Sequence, residues 1–348
     1  MSIRVAVIGT GNIGTTHARN LQHSVSGAEV IAVYDYDTQR ALDVATEIGC
    51  AAYPSFEAVV DSPEIDAVVI ASPDGLHAEQ AIAALHHGKW ILCEKPLAPT
   101  VAEAQKVMDA EIAFGHRRIQ MGFMRRFDPG YLQLKAELDS GAVGDALLLH
   151  CVHRNPQAPY VQDSAVVLTN SVVHEIDINR WLLGEEYESV TIVAGRATPR
   201  VGAGVLDPML VLFTTESGVV VEVESFTNCQ YGYEVRCEVV ASEGTIEMGD
   251  GSFVSSARDG RRGAAIAGIW TDRFDDAYLR QMQAWINDVS AGVVNGPTTW
   301  DGFAAAVTAE TAVRALSSRT TEPVRLPARP ALYSQRDAQA TARTGRSV

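Results

Sequence analysis

The 348-residue chain has little of three things that would place it in a class at once. It holds five cysteines, Cys50, Cys93, Cys151, Cys229 and Cys237, an odd number with no C-x-x-C pair. A disulfide framework or a structural zinc site is therefore not expected, and no metal is assigned. Cys93 and Cys151, set in strand-like runs, read as small buried hydrophobes. Positive charge is scarce too: 28 Lys and Arg against 43 Asp and Glu leave a net −15. Phosphate binding needs clustered cations, so neither nucleic acid nor an anionic membrane is expected as the main partner. Nor does any stretch approach the roughly 18–20 unbroken apolar residues that span a bilayer. The first residues, Met1-Ser2-Ile3-Arg4, lead straight into an apolar segment without a leader-like pattern, so a reducing cytoplasm is the expected compartment.

What is present is ordinary globular material: 47% hydrophobic residues, 28 Gly and 14 Pro. At ~100–200 residues per domain, the length predicts two domains. Over the first 120 residues, apolar runs (3–8, 30–34, 67–70, 90–93) alternate with helical spacing (15–21, 38–48, 77–87, 101–113). That rhythm predicts a doubly wound parallel sheet, an α/β Rossmann domain over 1–122. Past Gly122, helices over 129–140 and 171–183 are separated and followed by β-rich stretches (146–153, 187–197, 208–215, 218–227, 233–241, 244–248) with turn signals between them. Two helices near 275–291 and 302–318 follow. The prediction for 123–333 is an α+β domain with a large, mostly antiparallel sheet, and for the polar end, 334–348, a flexible tail.

The first strand is followed at once by Gly9-Thr10-Gly11-Asn12-Ile13-Gly14 and a helix. In that context the glycines have separate tasks: Gly9 makes the tight turn, Gly11 lets the backbone approach a pyrophosphate, and Gly14 lets the helix pack closely. The helix N-terminus offers free N–H groups to the phosphates. The second strand ends in Asp35, 35 − 14 = 21 residues past Gly14, placed to accept from an adenosine ribose 2′-OH. A 2′-phosphate would meet that negative charge, reinforced by Asp37 and partly offset by Arg40, so NAD is the expected cofactor.

Cys93-Glu94-Lys95-Pro96-Leu97 follows a later strand, at the end of the sheet where ligands of open α/β sheets bind. The glycine motif, Ser72-Pro73 with His77, Glu94-Lys95-Pro96, Gly122-Phe123-Met124-Arg125-Arg126-Phe127, His153-Arg154-Asn155-Pro156, His174-Glu175-Ile176-Asp177 and Tyr231-Gly232-Tyr233 together resemble the Gfo/Idh/MocA oxidoreductases. The resemblance runs over roughly residues 3 to 333 and is nearest to actinobacterial inositol 2-dehydrogenases. It implies an NAD site completed by Ser72, Pro73, His77, Glu94 and Lys95, a cleft for a small polyol, a cis peptide before Pro96, and a homo-oligomer, commonly a tetramer formed through the open sheet. It carries the catalytic lysine over to Lys95 and the catalytic histidine to His174.

The chemistry agrees with that implication. Oxidising a secondary alcohol needs a group to take the hydroxyl proton as hydride leaves for the nicotinamide. His174 as acceptor with Lys95 polarising the oxygen is the favoured assignment; a relay shared by the two fits the sequence equally well. Where most inositol dehydrogenases of the family carry an Asp four residues before this histidine, the present chain has Asn170. An amide can bind a hydroxyl but cannot take a proton at neutral pH. Asn170 is thus consistent with His174 acting alone, with a shift to another polyol or an aminocyclitol, or with binding without turnover.

The resemblance also places Arg125, His153, Asn155, Asp177 and Tyr233 on substrate hydroxyls. Each has a plainer reading. Arg125 can be a salt-bridged structural residue, His153 and Asn155 strand-end turn formers, Asp177 a partner for Arg180, and Tyr233, or less favourably Tyr231, core packing. The expected activity is NAD-dependent oxidation of a cyclitol, myo-inositol to its 2-keto product. The alternatives are a dehydrogenase or ketone reductase for an aminocyclitol or pyranose, and a non-catalytic NAD and sugar sensor.

Overall fold

The computed structural model describes residues 2–159, 161, 163–249 and 255–334; of the expected flexible tail, all but Ser334 lies outside them. Two compact units are present.

The first unit is built on six parallel strands: β1 (Ile3–Ile8), β2 (Ala28–Tyr34), β3 (Ala51–Ala52), β4 (Ala67–Ile70), β5 (Trp90–Cys93) and β6 (Ile119–Met121), in the order β3-β2-β1-β4-β5-β6. Their apolar runs are continuous because both faces are covered: Val5 to Ile8 and Ala67 to Ile70 have no exposed surface. Helices α1 (Asn12–His23), α2 (Thr38–Ile48), α3 (Phe56–Asp61), α4 (His77–His86) and α5 (Val101–Phe114) make the crossovers. Asp37, Ser55 and Thr100 cap α2, α3 and α5 by accepting backbone N–H bonds. The strand order reverses between β1 and β4, so the loops after these two strands flank the crevice where such sheets bind ligands.

The second unit opens with α6 (Pro129–Ser140), capped by Asp128 and closed by Gly141 at φ +71°. Strand β7 (Ala146–Arg154) follows, then the single turn α7 (Ser164–Val166), a π-helical turn over Val167–Ser171, and α8 (Val173–Leu183). Strands β8 (Tyr187–Ala194), β9 (Met209–Thr215), β10 (Val220–Phe226), β11 (Glu234–Ala241) and β12 (Gly244–Glu247) join β7 in a seven-stranded sheet, and β13 (Ser255–Arg258) and β14 (Arg261–Ala264) form a separate hairpin. The chain ends in α9 (Trp270–Ala291), α10 (Thr299–Ser318), β15 (Glu322–Pro323), which edges the large sheet, and α11 (Ala331–Ser334). The sheet order is β12-β11-β7-β10-β9-β8-β15. β10 lies parallel to β7, and the other neighbouring pairs are antiparallel. Strict alternation of buried and half-buried residues along β9 and β11 marks a sheet with one covered face.

The predicted α/β and α+β architectures are both found, but the units are not two consecutive stretches. Among the described residues, unit one comprises those of 2–123, 278–306 and 326–334, and unit two those of 124–277 and 307–325. Beside the expected division into 1–122 and 123–333, the difference is that 278–306 and the chain after 325 group with the first unit. The cause is packing: Met282, Trp285, Ile286 and Val289 of α9 bury their side chains in one core with Val5, Leu21, Val30, Val33 and Val44. Helical periodicity identifies an apolar face but not which core receives it. α9 is also interrupted at Phe274, whose φ of −115° and ψ of 17° are not helical.

Candidate active site

In the first unit the glycine motif does mechanical work at two positions and leaves room at a third. Gly9 has φ +88°, and a Cβ there would lie 2.5 Å from the Ala71 carbonyl oxygen. A Cβ on Gly14 would lie 1.8 Å from the carbonyl oxygen of Gly9, so α1 can pack this tightly only with glycine. Around Gly11 nothing among the described residues lies within 4 Å of the Cβ position. Gly11 is also the N-cap of α1, with no side-chain cap bond and no acidic residue in the first turn. Free N–H groups beside open space suit a pyrophosphate. Asn12 is exposed there and Ile13 half-buried.

Asp35 is buried at the end of β2. Its Oδ2 accepts from the Thr10 amide (2.7 Å) and hydroxyl (3.0 Å), and its Oδ1 accepts from the Asp37 amide (2.9 Å). Arg40 Nη1 stands 3.6 Å from Oδ2. Thr10 thus serves the site by aiming Asp35. A carboxylate has room for about four such bonds, which leaves Oδ1 able to accept a ribose hydroxyl.

The ends of β4 and β5 are tied together by His77, whose Nδ1 is 2.7 Å from the Pro96 carbonyl oxygen and whose Nε2 is 2.8 Å from that of Ser72. Expected as a cofactor contact, the His77 ring is committed on both sides to backbone, and its effect is to hold the two loops. Ser72 donates to Gln80 (2.5 Å), and Pro73 is exposed. Glu94 is buried too: Oε1 pairs with His17 Nε2 at 2.7 Å and Oε2 accepts from the Lys95 amide at 3.3 Å. A Cβ on Gly122 would come within 2.7 Å of this carboxyl group. Lys95 is half-buried, and its bond to Pro96 is cis as expected. His17, buried on α1, was not recognised in the sequence; its one signal is a histidine on the apolar face of a helix.

In the second unit, a short 3-10 turn (Met124–Phe127) supplies Arg125 and Arg126. Arg125, 1% exposed, forms an ion pair with Glu175 of α8 and lies over the Phe274 ring at 5.4 Å. Glu175 Oε2 is 3.0 Å from His153 Nδ1, and His153 Nε2 is 3.4 Å from the Tyr233 hydroxyl. Burial works against charge on both members of the ion pair. Even so, each one's charge holds the other ionised, the Glu175 carboxyl below the usual range and the Arg125 guanidinium above its own. Arg125 is therefore salt-bridged. The Asp177 carboxylate is taken by Arg126 Nε (2.9 Å) and Nη2 (2.5 Å), and Arg180 grips Glu186 (2.5 and 2.8 Å). Asn155 has its backbone strapped by Phe226 and Cys229, while its side-chain Oδ1 is buried without a hydrogen-bond partner among the described residues.

His174 is 9% exposed on α8, its ring centroid 6.5 Å from that of His153. Asn170 lies in the π-helical turn. The Val172 amide bonds to the Val167 carbonyl, five residues back, so Asn170 and His174 are not four apart on one regular α-helix. Tyr231 is a surface residue holding Arg154 and Glu234. The missed member of this cluster is Glu175, visible beforehand only as the second letter of H-E-I-D.

Residues 3–123 match the model of the Gfo/Idh/MocA oxidoreductase family, NAD-binding Rossmann fold, and residues 131–247 match the Gfo/Idh/MocA C-terminal domain. Inositol 2-dehydrogenase 3 of Saccharopolyspora erythraea is 44% identical over 96% of this chain and 98% of its own. The chain belongs to the Gfo/Idh/MocA family.

Among other Gfo/Idh/MocA relatives, an inositol 2-dehydrogenase of Pseudomonas fluorescens is 41% identical over 96% of this chain and all of its own. In structure, the chain is similar to a myo-inositol dehydrogenase of Lactobacillus casei solved with NAD(H) and myo-inositol (TM-score 0.92, 35% identity, 96% of this chain and 100% of that one). It also resembles the scyllo-inositol dehydrogenase of the same organism, solved with NAD(H) and scyllo-inositol (TM-score 0.88, 25% identity, 93% and 99%). As a Gfo/Idh/MocA protein the chain is an oxidoreductase with an NAD-binding Rossmann unit, and the open Gly11 backbone and the Asp35 carboxylate fit that cofactor.

Proposed function

We propose that the protein oxidises one secondary hydroxyl of a cyclitol with NAD, converting myo-inositol to its 2-keto product, scyllo-inosose. The observation that carries this reading is the pairing of the unit's charged side chains, with His153 and Tyr233 beside the Arg125–Glu175 pair. Arg125 is held by Glu175 and Arg126 by Asp177, which leaves hydroxyl-directed groups for a neutral, many-hydroxyl ring. The relatives' named substrate has that chemistry.

Bound NAD would supply the hydride acceptor. For the chain's own residues, His174 is proposed to take the hydroxyl proton and Lys95 to polarise the oxygen, the loop that carries Lys95 being held by His77 and Glu94. Asn170 is proposed to bind a hydroxyl, with His153, Asn155 and Tyr233 orienting the ring. The proposed assembly is a cytoplasmic homotetramer using the outward face of the large sheet, where half-buried Leu210, Leu212, Val220 and Phe226 stand.

The test is NAD(P)H formation, followed by absorbance, across inositol isomers, pyranoses and aminocyclitols with NAD and with NADP. Myo-inositol with NAD is expected to give the highest kcat/KM, and Lys95→Met to lower kcat by about 10²-fold or more while NAD still binds. Preference for NADP would overturn the role given to Asp35. Binding without turnover across the panel would overturn the enzymatic reading.

A further inference from the structure

The buried carboxylate of Glu175 has no part in the proton transfer proposed above, yet it is placed to decide how a neighbouring histidine meets substrate. It is 1% exposed, and its two oxygens face different partners, Oε1 the Arg125 guanidinium and Oε2 the Nδ1 of His153. Arg125 Nη2 also stands 3.3 Å from that same Nδ1, so two groups compete for one nitrogen. A guanidinium only donates, and would require a lone pair on Nδ1. An ionised carboxylate only accepts, and would require a proton there. The carboxylate is nearer, at 3.0 Å, and its bond is charge-assisted, so the Nδ1–H form prevails. In a neutral imidazole the lone pair then belongs to Nε2, which faces the Tyr233 hydroxyl at 3.4 Å.

We infer that Glu175 is a positioning residue: it fixes His153 as the Nδ1–H tautomer, so that the one lone pair of Nε2, faced by the Tyr233 hydroxyl without substrate, accepts a hydrogen bond from one hydroxyl of the substrate when the Tyr233 hydroxyl turns to the ring. Arg125 keeps Glu175 in place and charged, since the buried ion pair fixes the carboxylate through Oε1, the oxygen that does not face the imidazole. A hydroxyl is recognised here as a donor, which an ether or keto oxygen at the same ring position cannot be. The tautomer assignment stands on the geometry alone; the part about substrate rests on the cyclitol reading above.

The deciding measurement is long-range ¹H–¹⁵N correlation on the full-length protein labelled at histidine, without substrate, with the His153 signals identified by their loss in His153→Asn. Nδ1 is expected to be protonated and Nε2 bare at neutral pH. A proton on Nε2, alone or together with one on Nδ1, overturns the proposal, and because this uses the unaltered protein it holds even if variants fail to fold. In Glu175→Gln the proton is expected to redistribute toward Nε2. The KM for the cyclitol should rise roughly three- to tenfold, the scale of one hydrogen bond, with kcat changed less and the KM for NAD unchanged. An unaltered tautomer, or a loss confined to kcat, would also overturn it. Should no cyclitol be turned over while Nδ1 carries the proton, the substrate reading fails and the Glu175 assignment stands.

Discussion

Glu111 of α5 has no exposed surface, and its oxygens accept from the amides of Arg118 (2.7 Å) and Ile119 (2.8 Å) and from the hydroxyls of Thr299 (2.6 Å) and Tyr333 (2.8 Å). Burial raises its affinity for a proton, and the four donors only partly offset this. Between the unfolded value and the raised folded one, the native state binds more protons than the unfolded state. Stability contributed by this group is therefore lost as pH rises through that window. Glu111→Gln, which keeps an acceptor for the two amides and leaves the hydroxyls free to turn, is expected to remove this component. Thermal melts from pH 4 to 8 should show the variant gaining relative to the parent as pH rises, and a parallel pair of curves would contradict the assignment. The glycine turn and the carboxylate that ends β2 were readable in advance because their placement depends on local spacing. Glu111, His17 and Glu175 were not, because each acquires its meaning from a partner remote in sequence: Thr299 for Glu111, Glu94 for His17, Arg125 for Glu175.

At the level of elements, α1 is set by its contact with the turn before it. Gly14→Ala would drive a methyl group into the Gly9 carbonyl oxygen, so the helix must retreat and carry its free N–H groups with it. The expected result is a KM for NAD raised tenfold or more and about 1–3 kcal/mol of stability lost to overpacking, checked by steady-state kinetics and denaturant titration. Gly11→Ala meets nothing within 4 Å and is expected to leave the fold unchanged while weakening NAD binding, a contrast that separates packing from cofactor approach. The turn before α8 shows the limit of periodic reasoning. A spacing of four between Asn170 and His174 fits one face of a regular helix, but the Val172 amide reaches back five residues to Val167, so the turn that carries Asn170 is π-helical and not α-helical. A π turn has no sequence signature of its own; it arises from how neighbouring segments pack.

For the whole molecule, the returning α9 matters most. Trp285 is 1% exposed in the core beneath β1 and β2, although some 250 residues separate it from them. Trp285→Ala is expected to cost about 3–5 kcal/mol through lost burial and the cavity left behind. Because that core supports the strands ending at Gly9 and Asp35, NAD binding should weaken along with the melting temperature. Loss of neither would show that α9 is not part of this unit's core. Local order along the chain determined the parallel sheet, the glycine turn, a carboxylate at the end of β2 and the β-rich second half, since each follows from neighbours a few residues apart and from which side chains prefer water. Only the tertiary structure decided which core takes α9, that the turn carrying Asn170 is π-helical, and that Glu175, Arg125 and His153 form one buried network. Burial and pairing depend on what is brought alongside, and a linear pattern carries the preference for a partner but not the partner's identity.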